Sequence, residues 1–218
     1  MGATARAEVQ EPARGGAVGA PAPVEVQAEV VAPRVKGALL WGFARISLGW
    51  VFLWAFLDKA FALGFSTGRL EDGTIDFFAK GQAWLNGGSP TAGVFAYALK
   101  GPFKGLCQAI GNVTMTAQGP VANPPAWVDW VYMLSMLLIG LGLISGVMTR
   151  IAAFGGIVWM AIFYTATSIW PQYNPFVDDH VVYAIVLAGL AAIDAGRYLR
   201  LGGYRERLPM VQRHPILR

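Results

Sequence analysis

The sequence predicts an all-α integral membrane protein: a four-helix bundle with short extracytoplasmic amphipathic helices between its first and second spans. Three observations carry this expectation. Of 218 residues, 55% are hydrophobic and 14% charged, against about 25% charged in a soluble domain. Much of the charge gathers in the first 36 residues and after Asp194. Between them lie four apolar runs of the length a bilayer demands.

Residues 1–34 mix Ala, Pro, Gly and single charges with no aromatic residue, the composition of a disordered tail. They lack the apolar core of a secretory signal, and Arg6 stands where myristoylation needs Ser or Thr. The membrane domain is expected over 35–203, with spans at 37–65, 130–148, 151–170 and 180–199. A turn at Thr149 and Arg150 joins the second span to the third. Pro171 and Pro175 in WPQYNPFVDD stop the helix before the fourth. Arg34, Lys36 and Arg150, with the basic tail at 204–218, place both termini in the cytoplasm, and the high Ala, Gly and Arg content suggests a bacterium and hence its plasma membrane.

Segment 66–126 then forms an extracytoplasmic cap, because a loop of about 60 residues in a small bundle needs structure of its own. TIDFFAKGQAWLNGG sets Ile75, Phe78, Gln82 and Leu85 on one helical face and stops at Asn86, Gly87 and Gly88. SPTAGVFAYALKG offers Ser89 as N-cap and Pro90 in the first turn, and FKGLCQAIGN follows as a third short helix.

Several chemistries are excluded. The single Cys107 rules out an intramolecular disulfide, a CxxC pair, a Cys-ligated cluster and attached c-type haem. Two histidines, His180 and His214, are too few for bis-His haem in the membrane. No flavin or metal motif is present, and no metal site is expected. The pI near 9.4 comes from Arg flanking apolar runs, which reads as topology and argues against nucleic acid.

Ionisable groups inside spans are costly and therefore candidates for function. Arg45 to Lys59 in the first span and His180 to Asp194 in the fourth are equal steps of 14 residues, about 21 Å each. If these helices are antiparallel neighbours, two polar layers result. In the inner layer Arg45 meets Asp194, as a structural ion pair or as part of a proton or quinone path. In the outer layer Lys59, His180, Asp178 and Asp179 combine a cation, an imidazole and carboxylates, enough to bind an anion and move a proton. The plainer alternative has Lys59 snorkelling and the Asp-Asp-His run capping the fourth helix. Trp54 and Tyr183 lie near this layer and could line a quinone pocket, while interfacial anchoring explains the Trp residues equally well. Cys107 reads as a small apolar filler or a reactive thiol.

The first span ARISLGWVFLWAFLDKAFALGF, the GGSPTAG and GPF segments and the fourth span NPFVDDHVVYA…AAIDAGRYL together resemble the DoxX/DoxD family of small four-helix bacterial and archaeal membrane proteins, over residues 37–203. DoxD-like members are associated with thiosulfate:quinone oxidoreductase, which forms tetrathionate and works with a second, DoxA-type subunit. DoxX relatives join membrane redox-stress complexes. The resemblance implies a membrane quinone as electron acceptor and thiosulfate as donor at the outer face. Lys59 would bind the anion, Asp178, Trp54 and Tyr183 would complete the binding site, and His180 with Asp179 would pass a proton. It also implies an alternative, a non-catalytic subunit that scaffolds a respiratory or redox-stress complex. Partners in either case are the lipid bilayer and other membrane or redox subunits.

Overall fold

The structure, a computed structural model, describes residues 37–199. It is mostly helical. Three helices are long and apolar enough to cross a membrane: α1 (Ala38–Phe61), α3 (Ala126–Ser145) and α4 (Thr149–Phe163) with its π-helical extension Tyr164–Ser168. Between α1 and α3 lie the short α2 (Lys104–Ile110) and a hairpin of β1 (Thr114–Thr116) and β2 (Gly119–Val121). The last helix, α5 (Asp179–Ala192), has 14 residues, about 21 Å of helix, short of the roughly 30 Å of a hydrocarbon core.

The helices pack in the order α1, α3, α4, α5, with α5 returning to touch α1. On α3 the buried positions are Asp129, Tyr132, Met133, Met136, Ile139, Gly140 and Leu143, a stripe at helical period. Leu134, Leu138 and Leu141 face outward, as do Phe43 and Trp50 of α1 and Phe154 and Val158 of α4. Such outward apolar faces suit contact with lipid. Small residues set the α1–α3 approach. A Cβ at Gly140 would come within 2.7 Å of the Leu53 nitrogen, and one at Gly49 within 2.9 Å of the Ile144 nitrogen.

Several element boundaries differ from the sequence reading. The first helix stops at Phe61, not at 65. Asp58 accepts the amides of Phe65 (3.1 Å) and Ser66 (2.7 Å) and the Ser66 hydroxyl, folding the chain back. The fourth helix stops at Ala192, not near 199, because Asp194 takes a left-handed conformation (φ 49°) before the single turn Ala195–Arg197. The helix expected over TIDFFAKGQAWLNGG is a series of turns with one 3-10 turn, Trp84–Asn86. Gly73, Gly81 and Phe78 adopt positive φ there, and Ile75 and Leu85 stay exposed while Ala79 and Ala83 are buried. The other two cap helices form where expected: Ser89 Oγ accepts the Ala92 amide (3.2 Å) ahead of the Val94–Ala98 π-helical turn, and α2 follows.

The cap is tied to the helices at defined points. Trp84 packs edge-on against Trp130 of α3 (4.7 Å) and near Phe56 of α1 (6.4 Å). Asp129 is 7% exposed, and its Oδ1 accepts three donors: Ser89 Oγ (3.1 Å), Thr91 N (3.2 Å) and Thr91 Oγ1 (2.6 Å). Lys100 N donates to Ala166 O in the π-helical extension of α4 (2.8 Å).

Candidate functional site

Polar chemistry collects at the end of the helices that carries the cap. Asp178 is the N-cap of α5: its Oδ1 accepts the Val181 amide (3.2 Å), the arrangement the Asp-Asp-His run predicts. Its Oδ2 faces His180 Nδ1 at 2.7 Å, and Asp179 Oδ1 is 3.4 Å from the same nitrogen. Ser168 Oγ closes the group at 3.4 Å from Nδ1. With Nδ1 turned to Asp178, Nε2 is the imidazole nitrogen that faces away from these partners. Burial works against ionisation of Asp178, but hydrogen bonds from His180, Ser168 and the Val181 amide outweigh it and hold the carboxyl below its usual range.

This cluster borders a polar cleft of about 310 Å³. Lys100, Thr167, Ser168, Asn174, Asp178 and Asp179 are among its walls. Next to it lies a second cavity of opposite character, an almost wholly apolar chamber of about 340 Å³ between the cap and α3 and α4. Phe95, Leu99 and Cys107 form its roof, and Tyr132, Trp159 and Phe163 are among the walls below. Successive residues divide the two spaces: Leu99 and Ala166 line the chamber, Lys100 and Thr167 the cleft. The hydrogen bond from Lys100 N to Ala166 O joins the two segments of this partition.

Lys59 is in the same layer as His180 but is not part of the cleft. Its Nζ donates to Ser66 Oγ (3.1 Å) and lies over the Tyr132 ring at 5.9 Å. A row of rings connects the two residues, with Tyr132 and Phe163 6.3 Å apart and Phe163 and His180 5.9 Å apart. The cation lining the cleft is instead Lys100, which the sequence reading left aside because it sits outside the spans. Trp54 packs against Trp50 and Phe65, and Tyr183 against the main core; neither lines the cleft or the chamber.

Asp178, Asp179 and His180 each bring a donor atom within 4.8 Å of the others, close enough to share a metal ion. Asp178, however, already serves Val181 and His180 with its two oxygens, and a helix N-terminus disfavours a cation.

The opposite end is built differently. Arg45, 0% exposed, donates to the carbonyls of Leu143, Ile144 (3.0 Å), Tyr198 (3.0 Å) and Leu199 (3.2 Å). Asp194 ion-pairs with Arg197 at 2.8 Å, where the sequence paired it with Arg45. Arg45 and Asp194 do share one layer, since the Ala195–Arg197 turn packs on α1. Asp129, Tyr132, Phe163 and Ser168 also escaped the sequence reading. Asp129, a lone carboxylate near the start of an apolar run, was the one with a visible signal.

Compared with known proteins, the chain matches no family model, no curated protein and no solved structure.

Proposed function

We propose that this chain is a membrane oxidoreductase subunit of the thiosulfate:quinone type, a four-span bundle in a bacterial plasma membrane with both termini in the cytoplasm. The observation that carries the reading is the pairing of a polar cleft with an apolar chamber across one partition. A water-soluble reductant and a lipid-soluble oxidant need such adjoining compartments. The chamber's size falls in the range of small-molecule sites, and its aromatic walls suit a planar ring.

In the reaction, two thiosulfate ions join through a new S–S bond and release two electrons, and the quinone takes up those electrons with two protons. Lys100 would hold the anion, helped by His180 when it carries its second proton, against the opposing charge of Asp178 and Asp179. His180 would then deliver a proton, with Asp178 orienting the ring and Asp179 beside it. Lys59 and Tyr132 would border the quinone side. For α5 to complete the fourth span, the turn at Ala195–Arg197 would extend it towards the basic side.

The test is quinone reduction by the purified chain in liposomes with thiosulfate as donor, together with an absorption spectrum for bound haem or flavin. Thiosulfate-dependent reduction, lost in Lys100→Ala and His180→Ala at unchanged melting temperature, is expected. Unchanged turnover in both variants would sink the site assignment. The alternative, a non-catalytic subunit of a respiratory or redox-stress complex, draws on the exposed apolar groups of the cap, among them Tyr97, Leu106 and Met115. No reduction and a featureless spectrum would favour it.

A further inference from the structure

An apolar groove of about 750 Å³ runs between α3 and α4 on their outward side. Its polar contribution is small, and Leu138, Gly142, Met148, Ala152, Gly155 and Val158 are among its walls. Three residues, Val131, Trp159 and Ile162, line both this groove and the chamber under the cap. The two spaces therefore adjoin, with these three side chains at their common border. From Val131 to Ser145 the groove follows α3 over a step of 14 residues, about 21 Å.

The shape selects the occupant. The adjoining chamber beneath Val94, Phe95 and Leu99, about 340 Å³, is too small for a helix of a second copy, which is 10–12 Å across with its side chains. An occupant that uses both spaces is a thin chain with a compact end. The covered end is the aromatic one: Tyr132 and Trp159 meet edge-on at 5.5 Å, and Trp159 and Phe163 lie at 5.5 Å. Away from the cap the walls are mainly aliphatic, with Phe154 the aromatic ring among them. We infer that the groove holds the long hydrocarbon tail of a quinone-class lipid whose ring enters the chamber laterally, between α3 and α4. This rests on the quinone reading above for the identity of the ring.

Cys107 is the chain's single cysteine, is partly buried and lines the chamber, so its alkylation reports on occupancy without any turnover. The full chain in liposomes is treated with a membrane-permeant maleimide in the presence of a fully substituted benzoquinone. One compound bears a decyl tail and the other a methyl group, compared at equal mole fraction in the bilayer. The decyl compound is expected to slow alkylation at about tenfold lower mole fraction, since its tail makes packing contacts with the groove walls that the methyl compound lacks. Gly155→Leu has room for its Cβ, with Ile139 the nearest neighbour at 3.4 Å, and should fill the groove. It is expected to erase the decyl advantage while leaving the methyl compound's protection intact. Val158→Trp should do the same, and Ile185→Trp on the exposed face of α5 should not.

Equal protection by the two quinones, no protection, or a decyl advantage that survives both groove variants would overturn the inference. So would equal protection by decanol, which would put a tail in the chamber, or protection that follows protein density, which would put a second copy in the groove. Absent protection with intact quinone reduction strikes only this placement of the tail. Protection without any reduction strikes only the enzyme reading.

Discussion

Arg45 at one end and His180 at the other are both polar groups among apolar helices, yet their surroundings differ in kind. Arg45 is fully buried, and four backbone carbonyls from α3 and the segment after α5 accept from it. Every one of those acceptors is main chain, fixed in place, at points where helices end and carbonyls lack partners. His180 instead answers to side chains and is 22% exposed, and its partners Asp178, Asp179 and Ser168 line a cleft. The first arrangement locks two chain segments together. The second leaves the other ring nitrogen, Nε2, turned away from these partners. The contrast teaches that polar groups among such helices can be held either by fixed main-chain acceptors or by side chains beside a cleft.

The largest effect should come from the locked end. Arg45→Ala strands several buried carbonyls and is expected to cost roughly 3–5 kcal/mol, read as a lowered melting temperature in detergent. Arg45→Lys should recover little of it, because one ammonium cannot reproduce the planar fork. A melting temperature unchanged in Arg45→Ala would break the comparison outright.

A middle-sized effect is expected at the cap. Asp129→Ala removes the acceptor of three hydrogen bonds from Ser89 and Thr91, worth about 1–3 kcal/mol. Cys107 alkylation should quicken several-fold while helical content stays constant. An unchanged alkylation rate would mean that the cap is held elsewhere.

The smallest effect concerns pH. The folded-state pKa of Asp178 is lowered, so its contribution is complete above the ordinary carboxylate value and is lost only as pH falls through the lowered one. Hydrogen-exchange protection of the Val181 amide should persist in mild acid and decline only in stronger acid. Asp178→Ala should reduce it at every pH by the equivalent of about 1 kcal/mol. Loss of protection already in mild acid would contradict this placement of the carboxylate.

Much of this architecture is legible in the sequence, and what escapes does so for physical reasons. The periodic burial of α3 and the Asp178 cap follow from residue type and spacing. The end of α5 does not, because Asp194 and Gly196 are compatible with a continuing helix until the turn packs against α1. The cap misleads most. Ile75 and Leu85 satisfy a helical pattern, but positive φ at Phe78 and Gly81 breaks it and the small Ala79 and Ala83 take the buried places. The matching 14-residue steps correctly put Arg45 with Asp194, and Lys59 with His180, in common layers. They carry no information on which neighbour each side chain turns towards. Lys100 joins the cleft only because the cap folds back onto α4, a contact between residues 66 positions apart.

The fastenings of the cap also imply an order of assembly. Its first part leans on residues made before it, with Phe78 N bonded to Phe61 O and Trp84 near Phe56. Its second part depends on residues made afterwards: Ser89 and Thr91 wait for Asp129, and Lys100 waits for Ala166. A growing chain therefore fastens the second part of the cap in two steps, at Asp129 once α3 begins and at Ala166 only when α4 has been synthesised and packed. Closure of the roof over the chamber thus follows the packing of the α3–α4 hairpin, and a mispacked hairpin would leave Phe95 and Leu99 uncovered.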